Sequence, residues 1–337
     1  MGERKLKLVP QGEEAAVKES HAIDSEFLAV PPEQILSRAH ALSDLFVRLS
    51  SGRLVKVAHK DEKIDRERIE RMAHKNVNEL YVMRHDFSGV IQNLILHMRE
   101  NATAPTDNDK SINEYFQVAQ SVLTEVSKLP ISDEAIGHAI EVTQELATRL
   151  NEVDDIAKGL KLILGLGEKH SRHAMGCVVV SNWLARAMRW SAPRVLQPLT
   201  LGAFMHDVGL KELPVELLNK ERMHYSAEEV ALYETHPTRG VMILRSFNAM
   251  PAEVLQIVQE HHEMPNGQGF PNHIRGERMF PLAKIVSFAN LLSHEMLDAF
   301  LVHKSFSVEG MIERIDLIYK TMYGSEMHKA AKSIFKK

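Results

Sequence analysis

A fold for this chain has to find an interior place for five histidines and an aspartate carried on helical segments. They are His173, the pair His206-Asp207 in "MHDVG", His236 in "THPTRG", and the doublet His261-His262 in "EHHEMPNGQGFP". In "LTLGAFMHDVG", Leu199, Ala203 and His206 follow the i, i+4, i+7 spacing, so His206 extends an apolar helix face. In "AEVLQIVQEHHE", Val254, Val258 and His261 repeat that spacing, and Leu255 leads to His262. An inward imidazole is costly to bury without a partner. One alone is ordinarily a hydrogen-bonded core residue. Several, one of them next to a carboxylate, point to metal: neutral imidazole suits iron, zinc, copper and nickel. A shared carboxylate can bridge two cations, and such a pair activates water for phosphoester hydrolysis.

The rest of the composition narrows the class. A chain of 337 residues with 44% hydrophobic and 26% charged residues reads as soluble and globular, with room for roughly two domains. A net charge of −4 gives no global pull towards nucleic-acid polymers or an anionic membrane. The N-terminus has basic residues but no apolar run of signal-peptide length, and no segment reaches the ~18 apolar residues of a membrane span. With no export signal and one cysteine, a cytoplasmic location is the expectation. That cysteine, Cys177, lies in an apolar helical run and reads as an inert core residue.

Pattern changes divide the chain. Residues 1–24 are polar and read as a flexible N-terminus. Residues 25–100 read as a small α/β regulatory domain. "DLFVRLSSGRLVKVAHK" holds two short alternating runs about "SSG", a hairpin signal, and "ELYVM" (79–83) reads as a strand. Between them, "DRERIERMAHKNV" spaces Ile69, Met72 and Val77 on one helical face. "NATAPTDNDKS" (101–111), rich in turn residues, is the expected linker. From 112 to 337 the periodicity is helical almost throughout. Ser132 is an expected N-cap, and helices are expected over about 153–164, 170–189, 195–207, 226–234, 238–247, 251–262, 281–299 and 307–321. The basic end "HKAAKSIFKK" reads as a solvated helix end. The fold class expected is mainly α: an all-helical metal-binding domain preceded by a small α/β domain.

"MHDVG", "HP" followed by Gly240, "HHE", "NGQGFP" and "FPLAKIVSFAN" together resemble the HD-GYP branch of the HD phosphohydrolase superfamily, over about residues 150–300. The N-terminal unit is similar, more weakly, to modules found ahead of HD-GYP domains. The resemblance implies two divalent metal ions, commonly iron or manganese, and cyclic di-GMP or another phosphoester as substrate. Carried over by position, it implies His173, His206, Asp207, His236, His261, His262 and Asn290 as metal positions, with Asp207 as the bridging carboxylate.

The departures from the family pattern weigh on activity. The family's last ligand is an aspartate where this chain has Asn290, and its lysine stands where this chain has Leu210. Lys211 is next to that position and is the candidate substitute, with Asp207 the other candidate catalytic residue. Lys169 occupies the place of a glutamate found in three-metal members, and Phe270 stands for the tyrosine of the name motif. An Arg-Pro-Tyr segment that helps hold the nucleotide is replaced by "SHEMLDAFLVHKSFS". Two functions are therefore expected in competition. One is a metal-dependent phosphodiesterase-like signalling protein of weak or altered activity. The other is a degenerate domain serving as a metal-binding regulatory or protein-interaction module. Protein partners and a homodimer are left open.

Overall fold

The computed structural model describes residues 26–36, 38–49, 52–72, 79–101, 108–153, 155–301 and 307–335. The expected flexible segment 1–24 lies outside them, as do Val77 and residues 102–107 of the expected linker. The chain divides into two compact units, Met1–Arg99 and Glu100–Lys337.

The N-terminal unit carries an antiparallel sheet of β1 (Phe27–Val30), β2 (Leu45–Arg48), β3 (Leu54–Ala58) and β4 (Leu80–Met83), in the order β1-β4-β2-β3. The hairpin expected about "SSG" is the β2–β3 pair, with Val47 opposite Val55. Helices α1 (Pro32–Leu36), α2 (Arg66–Met72) and α3 (Arg84–Asn101) complete the unit. Ile35, Ile69, Phe87 and Ile91 are buried with Leu45 and Leu80 in its core.

Among the described residues of the second unit there is no strand, only the isolated bridge between Asn266 and Arg275. Its helices begin with α4 (Asn108–Lys128), α5 (Asp133–Arg149), α6 (Ile156–Leu164), α7 (Lys169–Ala187) and α8 (Pro193–Met205). There follow α9 (Val215–Leu218), α10 (Ala227–Tyr233), α11 (His236–Leu244), α12 (Ala252–Glu260) and α13 (Pro281–Leu301). The last are α14 (Val308–Arg314), α15 (Lys320–Tyr323) and α16 (Ser325–Ile334).

Starts are set by capping chemistry. The Ser132 hydroxyl accepts from the Ala135 amide at 3.1 Å, and Asp155 accepts from the Lys158 amide at 2.7 Å. Ser226 and Glu229 form a reciprocal capping box on α10. No described helix is long and apolar enough to cross a membrane.

The site is framed by α7, which packs on α8 and α13, and by α8, which also meets α12. Two glycines permit the closest approaches. A Cβ on Gly176 of α7 would lie 2.2 Å from the Ser293 hydroxyl of α13. A Cβ on Gly209, just after the His-Asp pair, would lie 1.9 Å from the His236 carbonyl oxygen.

Two expectations are corrected at the C-terminus. The helix expected over 307–321 is interrupted by a π-helical turn at Ile315–Tyr319. The basic end is not merely solvated: α16 buries Met327, Ala330, Ala331 and Ile334, an i, i+3, i+4, i+7 stripe, and packs on α7.

Candidate metal centre

Three of the histidines stand where one helix stops, and that placement fixes their chemistry. His206 follows the last residue of α8, His261 follows α12, and His236 opens α11 just beyond the end of α10. The last carbonyls of a helix lack intrahelical partners. The Nδ1 of His206, His236 and His261 lies 2.7, 2.7 and 2.8 Å from the carbonyls of Ala203, Tyr233 and Val258. A carbonyl only accepts, so each Nδ1 carries the hydrogen and each neutral ring presents a bare Nε2 lone pair to the interior. A backbone bond of this type is how metal-binding histidines are oriented.

Two of those lone pairs face each other: the Nε2 atoms of His236 and His261 are 3.1 Å apart, and two acceptors at that separation fit a cation between them. The Nε2 atoms of His206 and His173 are 3.3 Å apart, and the Nδ1 of His173 is buried without a hydrogen-bond partner among the described residues. Asp207 lies between the two groups. Its Oδ1 is 3.4 Å from His236 Nε2 and 3.6 Å from His261 Nε2. Its Oδ2 is 3.2 Å from His206 Nε2 and 4.0 Å from His173 Nε2. One oxygen thus serves each group, which is the disposition of a bridging ligand. Potential donor atoms gather as Asp207, His236, His261 and His262 on one side and as His173, Cys177 and His206 on the other.

Electrostatics keeps most of the set ready to bind. Burial holds His173 and His262 well below the usual imidazole range, reinforced by neighbouring histidines, and brings His261 down to about 4. Burial opposes charge on His206 too, but Asp207 outweighs it and raises that ring. Burial likewise disfavours the Asp207 carboxylate, yet His206, His236 and His261 hold it well below the ordinary range.

The walls are aromatic. Phe270, in the expected name-motif position, stacks on His262 with centroids 4.4 Å apart and planes 27° from parallel. Tyr233 lies 4.8 Å from the His236 ring and 6.3 Å from Phe270. The Arg222 guanidinium covers both, 4.6 Å from the Tyr233 centroid and 5.8 Å from that of Phe270. Solvent reaches the cluster at Asp207 and His262, which are half-buried. A cavity of about 810 Å³ touches this wall at Phe270, but none of the imidazoles lines it.

The sequence-derived positions His173, His206, Asp207, His236, His261 and His262 are therefore brought together. Asn290 joins them: its amide nitrogen is 3.3 Å from His262 Nδ1, and its Oδ1 is buried with no hydrogen-bond partner. An orphaned buried oxygen beside bare lone pairs fits a cation ligand. Lys211 is not brought to the site. Its ammonium donates to the carbonyls of Val126 and Leu129 at 2.8 and 2.7 Å, at the C-terminal end of α4.

Sequence reading passed over three neighbours. Cys177 lies one helical turn beyond His173, and its sulfur is 3.6 Å from His173 Nε2. Burial and the charge of Asp207 push its thiol well up, against the pull of the Ser293 hydroxyl. The reading of Cys177 as a core residue captures its burial but not its company. His294, one turn beyond Asn290, stacks on His173 at 3.9 Å. Tyr233 precedes His236 by three residues. In each case the i±3 or i±4 spacing from a site position was the available signal.

Residues 156–299 match the HD domain family. A stretch of 148 residues is 24% identical to the cyclic di-GMP phosphodiesterase PA4108 of Pseudomonas aeruginosa, covering 44% of this chain and 35% of that protein. A stretch of 88 residues is 32% identical to the 3'3'-cGAMP-specific phosphodiesterase 2 of Vibrio cholerae serotype O1, covering 26% of this chain and 17% of that protein. The chain thus spans about a third or less of the length of these relatives. Among solved structures, Bd1817, a HDG"Y"P protein from Bdellovibrio bacteriovorus, matches with a TM-score of 0.65 at 20% identity, over 92% of this chain and 100% of that one. That likeness is one of fold, and the HD match falls on the helices that carry the cluster. Residues 156–299 thus carry an HD domain, and the chain shares the fold of an HD-GYP protein.

Proposed function

We propose that the helical unit is a two-metal phosphohydrolase site for cyclic dinucleotides, in which cyclic di-GMP is hydrolysed slowly. One observation carries this reading: Asp207 turns one carboxylate oxygen to each of two histidine groups whose Nε2 atoms face each other. Imidazoles with one carboxylate suit first-row ions, and iron or manganese is the proposed pair. When bound, two such ions polarise a phosphoryl oxygen and supply hydroxide from water near neutral pH.

The chain's own residues do the rest. His206, His236 and His261 donate through Nδ1 to a carbonyl, so in the neutral ring it is Nε2 that has a lone pair to offer a cation. Phe270 and Tyr233 wall the His262 and His236 rings with aromatic faces and edges. Arg222, fixed on those rings, brings positive charge to that wall, where an anionic phosphodiester can meet it. No such charge comes from Lys211, which is engaged with α4.

A second reading is a metal-binding regulatory or protein-interaction module without turnover. Asn290 and Leu210 favour it, since each lacks a charge that the family pattern supplies there. One experiment separates the two. Protein grown with iron and manganese is assayed for metal content and for turnover of cyclic di-GMP and 3'3'-cGAMP. Two metals per chain with slow turnover are expected. Metal with no turnover of either favours the second reading, and absence of metal defeats both.

A further inference from the structure

We propose that Cys177 is a ligand of the metal ion held by His173 and His206. The inference rests on the two-metal reading above and concerns one of its two sites.

The geometry is that of a formed site. His173 and Cys177 are four residues apart on α7 and so share a face. Cys177 Sγ is 3.6 Å from His173 Nε2, which is 3.3 Å from His206 Nε2. An ion about 2.3 Å from a sulfur and about 2.05 Å from each nitrogen subtends angles of about 110° at these separations, close to tetrahedral. The Asp207 Oδ2, 3.2 Å from His206 Nε2, faces the same place. Cys177 is fully buried, and His173, His206 and Asn290 are at most 7% exposed, so the site is shielded from solvent.

A thiol coordinated to a divalent ion gives up its proton. The S–H bond breaks, the sulfur's electron pair goes to the metal and the proton goes to solvent. A soft thiolate also shifts this site away from manganese and towards iron(II), zinc or cobalt.

Cobalt(II) is the probe, because a thiolate bound to it gives a sulfur-to-metal charge-transfer band in the near ultraviolet. Full-length protein, stripped of metal, is titrated with cobalt(II). Two ions per chain and the band are expected. Cys177→Ala should lose the band and weaken one of the two sites at least tenfold, leaving the other. Two cobalt ions with no sulfur band would overturn the role of Cys177 and leave the two-metal reading standing. No cobalt bound would overturn both. The band is read on the unsubstituted chain, so a poorly folding variant does not decide the matter.

Discussion

At the scale of single residues, the decisive fact is which atoms of the site are already committed. Three imidazoles spend Nδ1 on helix-end carbonyls and keep Nε2, whereas Asn290 keeps an unpartnered oxygen and Leu210 has nothing to offer a phosphate. Preorganised charge of the missing kind is typically worth ~3–4 kcal/mol per group, or 100- to 1000-fold in rate. Asn290→Asp combined with Leu210→Lys is therefore expected to raise cyclic di-GMP turnover at least tenfold in metal-loaded protein. A steady-state assay checks this; no gain would place the defect in the segment after Asn290. The clustering of His206, His261 and His262 was legible because these histidines continue apolar helix faces. Cys177 was not, because a buried cysteine on an apolar face looks the same whether its neighbour is a leucine or an imidazole from another helix.

At the scale of elements, the turn after His206 does the positioning. Gly209 rests on the first residues of α11, where an added Cβ would meet the His236 carbonyl oxygen at 1.9 Å and the Gly240 nitrogen at 2.6 Å. Backbone atoms cannot yield as a flexible side chain does, so Gly209→Ala should destabilise the helical unit by about 2–3 kcal/mol or more. It should also release metal, since it separates Asp207 from His236. Chemical denaturation together with metal analysis reads both effects.

Lys211, in the same turn, is expected to behave differently. Its ammonium satisfies two carbonyls at the end of α4, and burial lowers its pKa. Lys211→Met should therefore cost about 1–3 kcal/mol of stability. Metal content and any residual turnover should hold. Loss of turnover at unchanged stability would support the catalytic role that position alone suggested.

Helices were the legible elements: seven of the expected ranges came within about three residues of α6 to α8 and α10 to α13. The four-residue strand β1 was not legible. It is recognisable only beside β4, more than fifty residues away in sequence, and so short a run carries no period of its own. The π-helical turn after α14 was equally hidden, because one extra residue in a turn shifts the apolar phase without erasing it.

At the scale of the whole molecule, the two units differ in what they contribute. Every site position lies between His173 and Asn290, within Glu100–Lys337, and none lies among the described residues of Met1–Arg99. The division was foreshadowed by the change from strand alternation to helical periodicity, but its boundary was not, since α3 runs from Arg84 to Asn101 across it. The site is built from α7, the turn after α8, the start of α11, the end of α12 and the middle of α13. An ion bound there ties five separate segments and stabilises only the state in which they are assembled.

The size of that linkage can be stated. A ligand present at about a hundred times its dissociation constant adds about 2.7 kcal/mol to the state that binds it. For a domain of 150–250 residues, each kcal/mol moves Tm by about 2–4 °C. Removing metal with a chelator should therefore lower the melting transition of the helical unit by about 5–10 °C per site. The transition of the N-terminal unit should stay where it is. Calorimetry with and without chelator, followed by re-addition of iron(II) or manganese(II), measures both. A helical transition that ignores the chelator would show that the cluster is a histidine-rich core and not a metal centre. A shift shared equally by both units would show that they unfold as one.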